Sequence, residues 1–211
     1  MQKSNCQTVY RQELRERILS ASMEEFCQRG VRAVKMDDIA AKLAISKRTL
    51  YEIYANKETL LLEGLKLNEE RMDEKMKAFS ENNDCNVIEI IIQFYTIQIR
   101  NSANVNPLFF EDLHRYPSVQ DFFEQKHRER GQRQQLFFNR GVSEGFFRED
   151  VDYDILSRIC DASMEYVMRT QMYREYKLDY ILHNLTLLYV RGICTENGVR
   201  TLDKALEHTV L

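Results

Sequence analysis

Tryptophan is absent from the chain, and proline and glycine are scarce, with two and seven among 211 residues. So few turn-makers exclude a fold of many short strands, which needs frequent Gly, Pro or Asn punctuation. Long apolar runs are missing too. The longest, IIIQFYTIQI, is too short and too interrupted to span a bilayer, and the opening MQKSNCQTVYRQELRER has no apolar stretch of signal-peptide length. A cytoplasmic protein without a membrane segment is expected.

Clustered metal-binding residues are also lacking. The five cysteines (Cys6, Cys27, Cys85, Cys160 and Cys194) are far apart, and no pair has CxxC spacing. Buried reduced thiols are the expected state. The histidines are scattered, so no helical His pair at i, i+4 exists and no metal or cofactor is expected. There is no GxSxG, no P-loop and no dinucleotide fingerprint, which leaves an enzyme only a constellation invisible in sequence.

What is present is a helical pattern with an uneven charge. The chain carries a net −3, but residues 1–57 hold eleven Lys/Arg against seven Asp/Glu. A basic N-terminal quarter therefore precedes an acidic remainder, as in a nucleic-acid-binding head on a regulatory body. From Arg11 to Gln28, Leu14, Ile18, Leu19, Met23 and Phe26 form a helical stripe that Gly30 can end in a left-handed conformation. The segment MDDIAAKLA predicts a second helix of about eight residues, with Asp37 and Asp38 at its positive end. After a turn at Ala44 and Ile45, Ser46 is a good N-cap, and Leu50, Ile53 and Tyr54 define the inward side of a short third helix. Two short helices joined by a tight turn and buttressed by a third form a helix-turn-helix, whose second helix can enter a major groove.

The outer face of that third helix carries Lys47, Arg48, Tyr51, Glu52 and Ala55. Lys47 and Arg48 occupy the first turn, where side chains reach base edges or phosphates, and Arg to guanine is the commonest specific contact. Tyr51 follows Lys47 by one turn and can donate its hydroxyl to phosphate, while Lys57 opens the next helix. Each residue alone is also explained as an ordinary solvent-facing or packing side chain. The agreement of periodicity, cap, turn and charge on one small unit favours the nucleic-acid reading.

The stretch RERILSASMEEFCQRGVRAVKMDDIAAKLAISKRTLYEIYANKETLL, about residues 15–61, resembles the N-terminal domain of TetR-type transcriptional regulators. Ile18, Phe26, Gly30, Ile39-Ala40, the Ser46 turn, Thr49-Leu50-Tyr51 and Lys57-Glu58 carry the resemblance. It implies an all-α homodimer of about nine to ten helices per chain, with a three-helix DNA-binding head over residues 8–57 and a helical effector-binding and dimerisation body over 58–211. It further implies a ligand-responsive regulator, a repressor that binds a pseudo-palindromic operator in double-stranded DNA and is released by a small-molecule effector. By the same resemblance Lys47, Arg48 and Thr49 read bases or nearby phosphates, and Tyr51 and Lys57 hold the DNA backbone. A helical protein whose basic head meets an acidic protein partner is the alternative, with an enzyme behind it. Three residues depart from the family pattern. Lys35 replaces a Thr that caps helix two and touches phosphate, which raises salt sensitivity. Ala44 replaces the turn glycine at a cost of about 1 kcal/mol if left-handed. Tyr54 replaces a Phe.

In the body, NVIEIIIQFYTIQIRNSA is apolar nearly all round, as in a bundle centre, except for the stripe Glu89, Gln93, Thr96 and Arg100. That stripe faces solvent, a cavity or a partner, and a cavity would favour a polar or charged effector. Phe94, Phe109, Phe110, Leu113 and Phe137 suit either a ligand cavity or simple core packing. Pro107 and Pro117 each open a further helix. In the last two long helices Leu156, Ile159, Leu182, Leu185 and Tyr189 have faces to spare, for a four-helix subunit seam or for burial within one chain.

Overall fold

The computed structural model describes residues 2–82 and 85–207. Ten α-helices account for most of them: α1 (Gln2–Arg29), α2 (Met36–Lys42), α3 (Lys47–Ile53), α4 (Lys57–Asn82), α5 (Val87–Ala103), α6 (Pro107–Leu113), α7 (Pro117–Ser143), α8 (Tyr153–Arg169), α9 (Leu178–Ile193) and α10 (Glu196–Glu207). A 3-10 turn, Met172–Arg174, separates α8 from α9. Among the described residues the only β feature is an isolated bridge between Phe147 and Cys194. The all-α architecture follows the expectation from composition.

The chain divides into two compact units. The first comprises Met1–Arg71 and Val105–Glu124. It therefore extends past residue 57, because Leu60, Leu61 and Leu65 of α4 and Phe109, Leu113, Val119 and Phe122 share one buried cluster with α1 to α3. The second comprises Met72–Asn104 and Gln125–Leu211. Its burial is divided between one cluster around Val87, Ile88, Phe147 and Leu202 and a small one of Val167, Tyr173 and Ile181.

Local chemistry explains the helix ends in both units. Gly30 adopts φ +81° and its N–H donates to the Phe26 carbonyl, closing α1 with a conformation that side chains disfavour. A Cβ there would also lie 3.1 Å from Leu108 Cβ and 3.2 Å from Asp112 Oδ2. Asn86, Asn106 and Asp152 each accept N–H donors at the starts of α5, α6 and α8. Pro107 and Pro117 occupy the first positions of α6 and α7, as expected. The start of α1 differs from expectation. It begins at Gln2, nine residues before Arg11, and within this extension Val9 and Tyr10 are exposed.

Of the cysteines, Cys85 and Cys194 are buried and Cys27 and Cys160 partly buried, all as free thiols, while the Cys6 side chain lies outside the described residues. Burial pushes the Cys194 thiol up to about 11, so it is held protonated. No helix among the described residues is long and apolar enough to cross a membrane.

Candidate nucleic-acid interface

The first unit presents α3 as a short, well-anchored helix with one buried side. Ser46 sits at the N-cap with extended backbone, and its Oγ accepts the Thr49 N–H at 3.0 Å. Thr49 Oγ1 is also within 2.8 Å of Ser46 Oγ, so the threonine reinforces the cap. Leu50 and Tyr54 are buried, which fixes the rotation of the helix and turns Lys47, Arg48, Tyr51 and Glu52 to solvent.

Tyr54 keeps its polar tip satisfied where a phenylalanine would have none. Its hydroxyl donates to Glu63 Oε1 at 2.9 Å, and the Arg15 guanidinium lies 5.3 Å from its ring centroid. Arg15 in turn grips both Glu63 oxygens, holding that carboxyl below the ordinary glutamate range. This network ties α1, α3 and α4 together at the edge of the core. Arg11 Nη2 adds a 3.3 Å hydrogen bond to the Glu52 carbonyl, satisfying an orphan acceptor at the end of α3.

The turn before α3 carries strain. Ala44 has φ +53°, the left-handed conformation expected from the missing glycine. Its N–H and that of Ile45 donate to Ala41 and Ala40, so the strained residue closes α2.

The exposed cations are engaged by carboxylates of the same unit. Lys47 Nζ donates to Asp37 of α2, and this hydrogen bond raises the lysine above its ordinary range. Arg48 Nε donates to Glu52 Oε1 at 2.8 Å, one turn along the helix. Tyr51 is 48% exposed. Lys35 occupies the N-cap of α2 but supplies no capping acceptor, since an ammonium only donates. Asp38 instead reaches back, accepting the Lys35 N–H at 3.0 Å.

Lys57 has a role that its position in sequence did not reveal. Its Nζ donates to the carbonyls of Val31 and Val34, 2.9 Å each, fixing the link between α1 and α2. Burial pushes this ammonium down from the ordinary lysine value. Two of its three hydrogens are committed to these carbonyls. The same link is held from α6: buried Asp112 accepts the Arg32 N–H at 2.8 Å, and Asn106 donates through its N–H to the Cys27 carbonyl and through Nδ2 to Gln28. Partners some eighty residues apart leave no periodic trace in sequence.

The residues considered for an effector site are divided between the two units. Phe109 and Leu113 are buried, and Phe110 packs beside them, in the core of the first unit. Glu89, Gln93, Phe94, Arg100 and Phe137 belong to the second. There Glu89 accepts the Asn86 N–H at 2.9 Å as half of a capping box, and Thr96 Oγ1 donates to its own helix at Ile92. Gln93 is half-buried, Phe94 and Arg100 are exposed, and Phe137 packs against Phe147. A concavity of about 710 Å³ in the second unit is lined by other residues, Ile155, Ile159, Tyr166, Tyr180 and Leu185 among them, on α8, α9 and their link. Ile159 and Leu185 are two of the residues expected at a subunit seam. Leu156, Leu182 and Tyr189 are half-buried, Leu156 against the cluster of Val87 and Phe147, and Tyr189 shares a hydrogen with Ser163 at 2.6 Å.

Two short helices, α2 and α3, joined by a tight turn and packed with α1, α4 and α6 in one core, with the outer side of α3 exposed, make a helix-turn-helix arrangement. Residues 18–63 match the model of the bacterial regulatory proteins of the tetR family. Solved structures agree on the fold along most of the chain. A candidate transcriptional regulator from Saccharomonospora viridis, in complex with choline, superimposes with a TM-score of 0.69 at 20% identity, over 88% of this chain and all of that one. The ketosteroid transcriptional regulator of Mycobacterium tuberculosis gives 0.60 at 21% identity, covering 86% and 95%. A TetR/AcrR family regulator from Thermobifida fusca gives 0.61 at 20%, covering 84% and 96%. A comparison with curated proteins finds no match.

Proposed function

We propose that the chain is a ligand-responsive transcriptional repressor that binds a pseudo-palindromic operator as a homodimer and is released by a small-molecule effector held in the second unit. The observation that carries this reading is the sidedness of α3: Leu50 and Tyr54 are buried while Lys47, Arg48 and Tyr51 stand exposed on the opposite face. Lys47, Arg48 and Thr49 read bases or adjacent phosphates, Tyr51 donates to the phosphate backbone, and Lys35 and Lys57 add cationic contacts at the flanks.

The dimer reading is supported by the exposed apolar face of α8 and α9. Ile155, Ile159, Tyr166, Tyr180 and Leu188 are each at least half exposed, a density that a monomer rarely leaves in water. A two-fold seam built from two helices per chain covers such a face and supplies the two heads that a palindrome needs. The small-molecule reading draws support from the structural neighbours, one of which was solved with choline.

Alanine at both Lys47 and Tyr51 tests the interface. The double variant loses sequence-selective duplex binding while sedimenting as the same oligomer with unchanged helicity. Binding by the wild type weakens steeply with salt, by close to one power of salt concentration per phosphate contact. Unchanged operator affinity in the double variant refutes the placement of the interface on α3.

A further inference from the structure

The recognition face of α3 contains an acid as well as cations. Glu52 is an odd neighbour for DNA, because an exposed carboxylate near phosphate is repelled. Its position relative to Arg48 gives it a use. The pair stands at i, i+4, with Arg48 Nε donating to Glu52 Oε1 at 2.8 Å. Both side chains are largely exposed, 87% for Arg48 and 56% for Glu52, so the pair adds little to folding. What it sets is orientation.

The Glu52 end is itself anchored. Its carbonyl accepts Arg11 Nη2 of α1 at 3.3 Å, and the flanking Leu50 and Tyr54 are buried. The carboxylate therefore springs from a fixed last turn and takes the Nε edge of the guanidinium. An arginine held at Nε still has its end-on edge, Nη1 and Nη2, directed away from the acid. Two parallel N–H donors at that spacing match O6 and N7 of guanine in the major groove.

We infer that Glu52 is a positioning residue for specificity: it holds Arg48 by Nε and presents the two terminal nitrogens as a fork for a guanine in each operator half-site. The inference rests on the reading of α3 as the recognition helix. Two effects act together. The fork is ordered before binding, so less side-chain entropy is lost when the base contact forms. The carboxylate also repels phosphate oxygens, which discourages Arg48 from swinging to the sequence-independent backbone contact that a free arginine would make.

Selection from random duplexes with the full-length dimer tests this, using wild type, Arg48→Ala, Glu52→Ala, Glu52→Gln and the Arg48→Ala/Glu52→Ala pair. The wild type selects a half-site with one position at which guanine is preferred about tenfold to a hundredfold. Arg48→Ala erases that preference. Glu52→Ala lowers it several-fold at the same position and changes nothing further when Arg48 is already alanine. Glu52→Gln, which keeps an acceptor oxygen, retains more of the preference than Glu52→Ala. The assignment is overturned if Glu52→Ala leaves the position unchanged, or if it alters selection equally with and without Arg48. Should the wild type select no half-site at all, the DNA-binding reading fails, which is visible before any variant is made, and the role of Glu52 falls with it.

Discussion

The two compact units solve the burial problem differently. The unit of Met1–Arg71 and Val105–Glu124 gathers α1, α2, α3, α6 and the starts of α4 and α7 around one continuous apolar cluster. Its periphery is stitched by hydrogen bonds that cross long sequence distances, from Asn106 to Cys27 and Gln28, from the Arg32 N–H to Asp112, and from Ser118 to Glu58. The second unit spreads its burial over two smaller clusters and leaves Ile155, Ile159, Tyr166, Tyr180 and Leu188 exposed. The first holds the short helix α3 rigid with resources of its own. The second leaves apolar surface unused, a surplus consistent with the proposed pairing of subunits.

The largest expected effect tests the self-sufficiency of the first unit. Leu50 is fully buried on α3, so Leu50→Ala loses transfer energy and leaves a cavity, costing about 2–5 kcal/mol. Thermal unfolding followed by circular dichroism should show a large fall in midpoint, with duplex binding lost as α3 loosens. A cost below about 1 kcal/mol would mean that the cluster repacks around α3 and that the helix is not fixed by burial.

The matching change in the second unit is Leu188→Glu. Leu188 is 68% exposed, so within a single chain the substitution should alter stability by no more than about 0.5 kcal/mol. Across the proposed subunit seam it removes a buried leucine worth about 1.5–3 kcal/mol and adds a charge, shifting dimer to monomer in sedimentation equilibrium. A variant that stays dimeric at the same concentration places the seam elsewhere and weakens the contrast between the units.

A smaller effect sharpens how the first unit is stitched. Glu63 accepts from Arg15 and Tyr54, and the Arg15 hydrogen bond lowers its folded pKa below the ordinary 4.5. The sign follows from linkage. A carboxyl depressed on folding contributes stability that is present above its unfolded pKa and is lost as pH falls through the folded one. Glu63→Gln should therefore cost about 1 kcal/mol at neutral pH, given the partial exposure of the pair, and nothing once the wild-type carboxyl is protonated. Unfolding midpoints of both proteins, measured from neutral to strongly acidic pH, should converge at the acid end. Parallel curves would assign the cost to packing instead.

The features that could be read from sequence were those with a local cause. Gly30 ends α1 in the left-handed region, Ser46 caps α3, and Pro107 and Pro117 open their helices, because each depends on a few adjacent residues. The outward placement of Lys47, Arg48 and Tyr51 followed from the spacing of Leu50 and Tyr54. The inward turn of Lys57 onto Val31 and Val34, and the core role of Phe109 and Leu113 beside Phe26, depend on chain segments that periodicity does not connect. The left-handed Gln171 before the 3-10 turn was equally invisible, since nothing in QMYREY favours φ +55° over an ordinary loop. Pairing of Arg48 with Glu52 was open to a reading of i, i+4 spacing, but its value emerges only with the free edge of the guanidinium in view.

The smallest effect returns to the turn that sets α3 against α2. Ala44 pays for its φ of +53° with steric strain of about 1–2 kcal/mol, which glycine would not incur. Glycine also frees the unfolded chain, giving back about 0.4–1 kcal/mol. Ala44→Gly should thus stabilise the first unit by a net of several tenths to about 1 kcal/mol, read as a rise in the unfolding midpoint that scales with the first unit alone. Ala44 is exposed and its N–H bond to Ala41 uses backbone only, so no lost contact offsets the gain. A fall in the midpoint would show that the turn relaxes away from the left-handed region in solution. The orientation of α3 would then depend on Leu50, Tyr54 and the Glu63 network without help from the turn.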